Sequence, residues 1–464
     1  MQTCSAYTTN MDNVTTGNLI EVEITDLAFD GKAVGHIDGK VIFLKGGLPG
    51  ETVLAEITRD KRRYFNGITK EIIKKSDKRI DAVCSHFDIC GGCTWLDLQY
   101  PDQLAYKQKQ VNDCIEHIGA LKGVTILPIL GSVETVHYRN KMEYSFNVSG
   151  DSFTLGLHER GSYQNIFNLN YCHISQPTDG ELVKWMREYV KDNKLTVYDV
   201  NEHHGYMRFF MLRQTKRTGQ LMVNVVTNYG DFPDNEKFVS EMTAAFPQIT
   251  TIIHSQNGQK SNIAVGEVET ILYGPGHIEE ELMGKRFRIS ANSFFQTNSL
   301  QAEKLYQTGF DMLKPKSEDR VLDLYCGTGT IGILLAERVA DVIGVELVPD
   351  AVTAAKINAE INEIPNIQFF EGFVKEFLKS DFLEENTYNI AIIDPPRAGL
   401  NPKALKQLIK LAPEKILYIS CNPATFARDA QKLVENGYSL PEVKPVDMFP
   451  HTMHIELSAV FYRG

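Results

Sequence analysis

Cys421 stands where a cysteine could act as a nucleophile. The predicted strand KILYIS leads into Ser420-Cys421-Asn422-Pro423, and a helical pattern follows. Asn422 suits a helix N-cap and Pro423 suits the first turn, so we expect the thiol just ahead of a helix N-terminus. The helix dipole and the free N–H groups there favour a thiolate. Position alone does not separate this interpretation from a small buried cysteine, the usual fate of a free thiol.

A glycine-rich loop indicates a nucleotide-like cofactor. Gly327-Thr328-Gly329-Thr330-Ile331-Gly332 directly follows the predicted strand VLDLYC and opens a helix. Glycines let the backbone turn tightly and approach a ligand. Glu346 ends the next strand, where a carboxylate can accept hydrogen bonds from ribose hydroxyls. A nicotinamide enzyme fits the same pattern, and so does a turn that only packs.

Two further segments carry polar groups that could complete a site. Asp394-Pro395-Pro396-Arg397 follows a predicted strand, and its prolines restrict the backbone. Enzymes that methylate exocyclic amines often have an aromatic residue after such a pair, whereas Arg397 stands here. The tail offers His451, His454 and Glu456 as candidate bases. Spacing alone does not choose among them.

One reaction that needs a thiolate, a base and groups for developing charge is methylation of carbon 5 of uracil. That carbon is a poor nucleophile until a thiolate adds to carbon 6 and makes the ring an enolate. After methyl transfer, a base must remove the carbon-5 proton so that the sulfur can leave. The residues above could supply each of these functions.

The elements that must position these residues alternate between strands and helices from about residue 290 onward. This rhythm predicts a parallel, doubly wound α/β sheet of the Rossmann-like type. Gly327, Glu346, Asp394 and Cys421 all follow predicted strands. Because ligands bind at the carboxyl ends of parallel strands, we expect these residues to meet at one edge.

The preceding chain divides by pattern into three segments. Residues 1–16 are polar and predicted to be disordered. Short β-rich runs separated by glycine turns predict a small barrel over 17–76. A mixed, mainly antiparallel α+β domain is predicted over 77–288, within which the helix 102–120 could pack on the catalytic domain 289–464.

Three cysteines, Cys84, Cys90 and Cys93, fall within ten positions of each other. The N-terminus lacks the features of a signal peptide, so we expect a cytoplasmic protein without structural disulfides. Crowded cysteines in a reduced compartment indicate a metal site. Spacing permits tetrahedral zinc and an iron–sulfur cluster equally.

The net charge of −11 argues weakly against a nucleic-acid partner, but one segment of the chain is strongly basic. Residues 59–79 contain nine basic and three acidic residues, a net charge of +6 in 21 positions. Tyr64 and Phe65 lie inside this run. Basic groups can replace phosphate counterions and aromatic rings can stack on bases. A solvated strand edge fits the run equally well.

The motifs together resemble the RNA uracil-5-methyltransferase family. The likeness lies in Ser420-Cys421-Asn422-Pro423-Ala424-Thr425, Asp394-Pro395-Pro396-Arg397, Phe295-Gln296-Thr297-Asn298 and the tail HTMHIE. It covers residues 17 to 464 and is nearest to the members that act on 23S ribosomal RNA. The N-terminal third resembles a TRAM domain, an OB-like barrel that binds RNA, followed by the family's iron–sulfur motif.

The resemblance implies a role for each matching residue. Cys421 would be the nucleophile and Glu456 the base. The residues implied to contact S-adenosylmethionine are Gln296, Tyr325, Gly327, Gly329, Thr330, Glu346 and Asp394. Thr330 and Phe373 depart from the residues common in the family, which puts individual cofactor hydrogen bonds in doubt. Cys84, Cys90, Cys93 and Cys172 match the ligands of a [4Fe-4S] cluster, whereas Cys4, Cys114 and Cys326 do not.

The resemblance implies an RNA substrate, with ribosomal RNA first and the T-loop uridine of transfer RNA second. No membrane partner is expected, and nothing in the sequence demands more than a monomer. Two other classes stay open at this point. One is a methyltransferase for an amine or a small molecule, which needs no thiolate. The other is a non-catalytic RNA-binding iron–sulfur protein.

Overall fold

The computed structural model describes residues 14–150, 152–260 and 262–464. Most of the predicted N-terminal tail, including Cys4, lies outside these residues. Contacts divide the chain into two compact units. The first comprises the described residues up to Phe87, Cys93–Asn112 and Pro450–Met453. The second comprises Asp88–Gly92, Asp113–Phe449 and His454–Gly464.

The first unit contains a closed five-stranded barrel in the order β1-β2-β3-β5-β4, as the glycine-punctuated runs predicted. Its first strand alternates buried aliphatic with exposed polar side chains, the pattern of a barrel wall. The strands are β1 (Leu19–Leu27), β2 (Ala33–Ile37), β3 (Lys40–Lys45), β4 (Thr52–Asp60) and β5 (Tyr64–Lys74). Helix α1 (Tyr100–Asp113) follows.

The basic run 59–79 lies largely on the surface of this barrel. Most of its lysines and arginines are exposed, and Tyr64 is partly exposed at the start of β5. Phe65 is buried in the barrel core, with the Lys40 Nζ atom 3.7 Å from its ring centroid. Of the two aromatic residues, only Tyr64 is therefore available for stacking on a base.

In the second unit a seven-stranded, mainly antiparallel sheet forms, in the order β13-β12-β11-β10-β7-β8-β9. Helices α2 (Asp179–Asp192) and α3 (Asn235–Ala245) contribute apolar side chains to a core cluster with residues of this sheet. Its strands, which follow β6 (Thr125–Ile126) in the chain, are β7 (Lys141–Ser149), β8 (Ser152–His158), β9 (Ile166–Asn168), β10 (Met207–Gln214), β11 (Leu221–Thr227), β12 (Ile249–Gln256) and β13 (Val268–Tyr273).

A two-stranded ribbon, β14 (Ile278–Leu282) and β15 (Lys285–Ile289), and helix α4 (Ser299–Leu313) lead into the last sheet. Its main path runs β18-β17-β16-β19-β20-β23-β22-β6. The five parallel strands are β16 (Arg320–Leu324), β17 (Asp341–Glu346), β18 (Ile367–Glu371), β19 (Ile390–Ile393) and β20 (Lys415–Ser420). The remaining strands are β21 (Tyr438–Ser439), β22 (Glu442–Val446) and β23 (Glu456–Arg463).

Helices follow the parallel strands as a doubly wound fold requires. They are α5 (Thr330–Ala336), α6 (Pro349–Ile361), α7 (Val374–Phe377), α8 (Asp381–Glu385), α9 (Pro402–Leu411) and α10 (Pro423–Glu435). The parallel sheet predicted from residue 290 is thus confirmed. Two earlier segments also join this part: β6 pairs with β22, and the π-helical turn Cys114–Ile118 packs on α10. None of the helices in the described ranges has the length and hydropathy of a membrane span.

Candidate active site

A cavity of about 1160 Å³ opens at the carboxyl edge of the parallel strands. Of the nine predicted catalytic and cofactor residues, eight line it: Gln296, Tyr325, Gly327, Thr330, Glu346, Asp394, Cys421 and Glu456. Gly329 does not. A Cβ atom there would lie 2.8 Å from the Phe369 ring, so this glycine allows the turn to pack closely. Its positive φ of 78° also suits a residue that caps α5.

The glycine loop forms one wall of the cavity. Tyr325 and Gly327 both have positive φ angles, 68° and 54°, which turn the chain sharply after β16. No atom among the described residues lies within 4 Å of a Cβ built on Gly327, so the backbone there faces open space. Such a bare backbone wall allows a ligand to approach closely.

Glu346 lies beside this loop at the end of β17 and is fixed by backbone amides. Its Oε1 accepts from the N–H groups of Leu347 and Val348 at 2.7 and 2.9 Å, and its Oε2 accepts from Gly327 at 3.1 Å. A carboxylate offers about four acceptor positions, so one remains for a hydroxyl donor. The Leu347 and Val348 side chains are 48% and 52% exposed and also line the cavity.

The strand register brings the predicted nucleophile and base together. β20 and β23 are antiparallel, with Ser420 opposite Leu457. Continuing that register by one residue places Cys421 opposite Glu456. Asp394 immediately follows β19, which pairs with β20 in parallel. Asp394, Cys421 and Glu456 therefore all lie at the same end of neighbouring strands.

Burial has the largest effect on the pKa values of Asp394, Glu456 and Cys421. It raises the pKa of Asp394 to about 7. Burial and the Asp394 charge together hold the pKa of Glu456 well above its usual range, although Arg397 opposes this rise. Burial, followed by the charges of Glu456 and Asp394, raises the pKa of the Cys421 thiol to about 11. A thiol with this pKa is protonated at neutral pH.

This result corrects the expectation that free helix N–H groups favour a Cys421 thiolate. Pro423 has no N–H, and the Asn422 Oδ1 atom accepts from Ala424 and Thr425 at 3.0 and 3.4 Å. The first amides of α10 are thus used by the N-cap that the sequence predicted. The groups that favour the thiolate are instead Arg397, whose charge lowers the pKa of Cys421, and the backbone N–H of Cys421 itself.

The role of Arg397 was not legible from the sequence, and neither was that of Tyr306. Arg397 lines the cavity, and its carbonyl accepts from the Asn422 side chain at 3.1 Å, which ties the DPPR loop to the start of α10. Tyr306 is buried on α4 and also lines the cavity. Burial and the Asp394 charge raise its pKa above the usual range, and a hydrogen bond with Gln296 opposes the rise. No motif surrounds Tyr306, so only the fold reveals it.

The two histidines among the candidate bases of the tail belong to different units. His454 lines the cavity, with its ring centroid 6.1 Å from that of Phe449. His451 belongs to the first unit, where its carbonyl accepts from the Thr94 and Trp95 N–H groups at 2.8 and 3.0 Å. His451 is therefore a structural residue of that unit.

The four predicted metal ligands, Cys84, Cys90, Cys93 and Cys172, all lie among the described residues. Cys84 and Cys93 belong to the first unit, and Cys90 and Cys172 to the second. Within the three described ranges, no group of three or more His, Cys, Asp or Glu residues is arranged to hold a metal ion. Cys90 and Cys172 do pack against the same hydrophobic cluster, and the Gly92 N–H donates to the Cys90 Sγ atom at 3.3 Å.

The thiol titration can be tested by alkylation of Cys421 with iodoacetamide, followed by mass spectrometry of its peptide. The rate should rise with pH toward a midpoint near 11, because only the thiolate reacts. Glu456→Gln should move the midpoint to lower pH by removing a like charge, and Arg397→Gln should move it to higher pH. Midpoints that coincide in all three proteins would contradict this electrostatic account.

The chain is similar to known proteins over nearly its whole length. The tRNA (uracil-5-)-methyltransferase family model matches residues 99–463, and the TRAM domain model matches 13–69. An uncharacterized RNA methyltransferase of Chlorobaculum tepidum is 39% identical over 97% of both chains. Another, of Porphyromonas gingivalis, is 37% identical over 96% of this chain and 100% of its own.

A solved structure is similar over nearly the whole length. The tRNA (uracil-54, C5)-methyltransferase of Pyrococcus abyssi, in complex with S-adenosyl-L-homocysteine, has a TM-score of 0.76 and 29% identity, covering 95% of this chain and 100% of that one. The chain therefore belongs to the tRNA (uracil-5-)-methyltransferase family and is an S-adenosylmethionine-dependent RNA methyltransferase with an N-terminal TRAM domain.

Proposed function

We propose that this protein methylates carbon 5 of a uridine in RNA, with Cys421 as the nucleophile and Glu456 as the base. The observation that carries the proposal is the register of β20 and β23, which puts these two residues side by side at the cavity. Asp394 and Arg397 line the same cavity and supply polar groups for charge that develops on the uracil ring.

The other end of the cavity has the chemistry to hold S-adenosylmethionine. The open backbone at Gly327, the remaining acceptor position of Glu346 and the exposed side chains of Leu347 and Val348 suit a ribose and a flat purine. Gln296, Tyr325, Thr330 and Asp394 would complete the contacts. When bound, this cofactor supplies an electrophilic methyl group.

Activation of the nucleophile requires that the Cys421 sulfur lose its proton before it bonds to carbon 6 of uracil. Arg397 favours the resulting thiolate. Asp394, with a pKa of about 7, is partly ionised at neutral pH and can accept the proton. Addition of sulfur to carbon 6 converts the ring to an enolate whose carbon 5 is nucleophilic.

Release of the product requires removal of the carbon-5 proton after methylation. The ionised Glu456 side chain would take this proton, the carbon 5–carbon 6 double bond would re-form, and the Cys421 thiolate would leave. Its raised pKa makes Glu456 a stronger base than an exposed carboxylate. The proton would then pass to water when the product leaves.

As the natural substrate we propose large-subunit ribosomal RNA. The TRAM-like region and the cysteine motif resemble those of family members that act on this RNA. The alternative is the T-loop uridine of transfer RNA, which the similarity to the Pyrococcus abyssi enzyme favours. The cytoplasmic location and the monomeric state expected from the sequence stay predictions.

We further propose that Cys84, Cys90, Cys93 and Cys172 bind a [4Fe-4S] cluster, with zinc as the alternative occupant. The sulfur donors and their spacing support this, as does the Gly92 N–H directed at the Cys90 sulfur, because amide hydrogen bonds to sulfur are typical of such sites. The cluster would organise the surrounding chain, and methyl transfer does not require it.

RNA that contains 5-fluorouridine should trap the covalent intermediate, because fluorine at carbon 5 cannot be removed as a proton. We expect a denaturation-resistant adduct with wild-type protein and none with Cys421→Ala, whose methylation rate should fall at least about a thousandfold. Cys326→Ala is the matched control, because Cys326 also lines the cavity. An adduct that survives in Cys421→Ala would remove Cys421 from the reaction.

Glu456→Gln should stop the reaction one step later. It should accumulate a methylated RNA–protein adduct on unmodified RNA, with turnover lowered by about 10²- to 10⁴-fold. Denaturing gels with a radiolabelled methyl donor would show the adduct. Glu442→Gln, on β22 outside the cavity, should behave as wild type. Normal turnover by Glu456→Gln would exclude Glu456 as the base.

Protein purified without oxygen should contain about four iron and four sulfide per chain if the cluster proposal holds. Cys90→Ser and Cys172→Ser should lose iron, whereas Cys114→Ser should retain it. Zinc without sulfide would support the alternative occupant, and the absence of both would exclude the site.

Mapping of 5-methyluridine in total RNA from a deletion strain would identify the substrate. We expect loss of the modification from large-subunit ribosomal RNA while the T-loop of transfer RNA stays methylated. The reverse pattern would establish the transfer RNA alternative.

A further inference from the structure

One face of the seven-stranded sheet carries a cluster of three cations, Arg213, Lys141 and Arg139, beside the active-site cavity. Arg213 on β10 lies directly opposite Lys141 on β7. The charges of Arg213 and Arg139 both act on Lys141. Like charges at opposed positions of neighbouring strands are destabilising. Glu143 forms an ion pair with Lys141 at 2.6 Å, and this single carboxylate does not neutralise three cations.

Arg213 has unused hydrogen-bonding capacity. Its side chain is 5% exposed, and its Nη1 atom has no hydrogen-bond partner among the described residues. Its Nη2 atom donates to the Ser293 carbonyl at 2.8 Å. An unpartnered donor on a buried guanidinium costs stability unless a ligand satisfies it.

The cluster is joined to the wall of the active-site cavity. Ser293, which Arg213 holds, lines that cavity, as does Gln296. Asn140, between Arg139 and Lys141 in the chain, donates to the Gln296 carbonyl at 3.0 Å. Lys141 is 23% exposed, so solvent reaches the cluster at this lysine.

We propose that Arg213, Lys141 and Arg139 bind one phosphate of the RNA backbone next to the uridine that enters the cavity. This inference rests on the proposed function and names a contact for its substrate. A phosphate would separate the opposed cations and accept from Arg213 Nη1. Guanidinium and ammonium groups are the side chains best suited to phosphate. Seated there, the phosphate would fix the position of the strand relative to the loop that carries Gln296.

The test measures binding of fluorescent oligouridine RNA at several salt concentrations. This probe offers uracil and phosphate at every position and needs no knowledge of the natural target. Because Arg213 also holds Ser293, Lys141→Gln is the decisive variant. It should weaken binding about tenfold at low salt. It should also lower the slope of log Kd against log salt by about 0.7, the value for one phosphate contact on a single strand.

Two further variants separate charge from folding. Glu143→Gln removes the competing carboxylate and should tighten binding, the opposite sign to Lys141→Gln. Lys237→Gln, an exposed lysine on α3 paired with Glu241, should bind as wild type. Affinity for S-adenosylmethionine, measured by calorimetry, should stay unchanged in all three.

Wild-type affinity and slope in both Lys141→Gln and Glu143→Gln would overturn the proposal. Loss of S-adenosylmethionine binding in Lys141→Gln would also overturn it, because the anion held there would then be the cofactor's carboxylate. Failure of the proposed reaction is distinguishable, since it would appear as a missing fluorouridine adduct while these salt slopes remain as expected.

Discussion

The pairing of β23 with β20 is the interaction on which the active site depends. A parallel sheet alone would bring the glycine loop, Glu346, Asp394 and Cys421 to one edge, because each follows a parallel strand. Glu456, the proposed base, does not follow a parallel strand. It reaches the edge because β23 runs antiparallel to β20 and begins at Glu456, opposite the end of β20. A shift of this register by one residue would direct the carboxylate to the other face of the sheet.

The cost of this arrangement is electrostatic. Burial raises the pKa values of Asp394, Glu456 and Cys421, and the charges of neighbouring carboxylates add to the rise for Glu456 and Cys421, so ionisation is costly in this site. That state suits the proposed reaction in a specific way. A carboxylate with high proton affinity is a strong base once it is ionised, and a protonated thiol is protected from adventitious oxidation and alkylation. Arg397 is the cation that opposes the accumulated negative charge.

The sequence was sufficient to predict the parallel sheet and the barrel, and eight of the nine site residues predicted from it line the cavity. Strand–turn–helix context made these predictions possible, since β16, its glycine loop and α5 are contiguous in the chain. The state of the Cys421 thiol was not predictable, because it depends on burial and on charges from two other segments, the DPPR loop and the tail. Tyr306 was not predictable either, because a tyrosine on an amphipathic helix has no local signal. The division of the tail between the two units was not predictable either: Pro450–Met453 belongs to the first unit, whereas Glu456 belongs to the second.

The central claim is that a methyl group replaces the proton on carbon 5 of uracil through attack by Cys421. RNA labelled with tritium at carbon 5 of its uridines tests this most directly. The wild-type protein should release one tritium into water for each methyl group transferred, and Cys421→Ala should release none. Methylation without tritium release would place the methyl group at another atom and contradict the account.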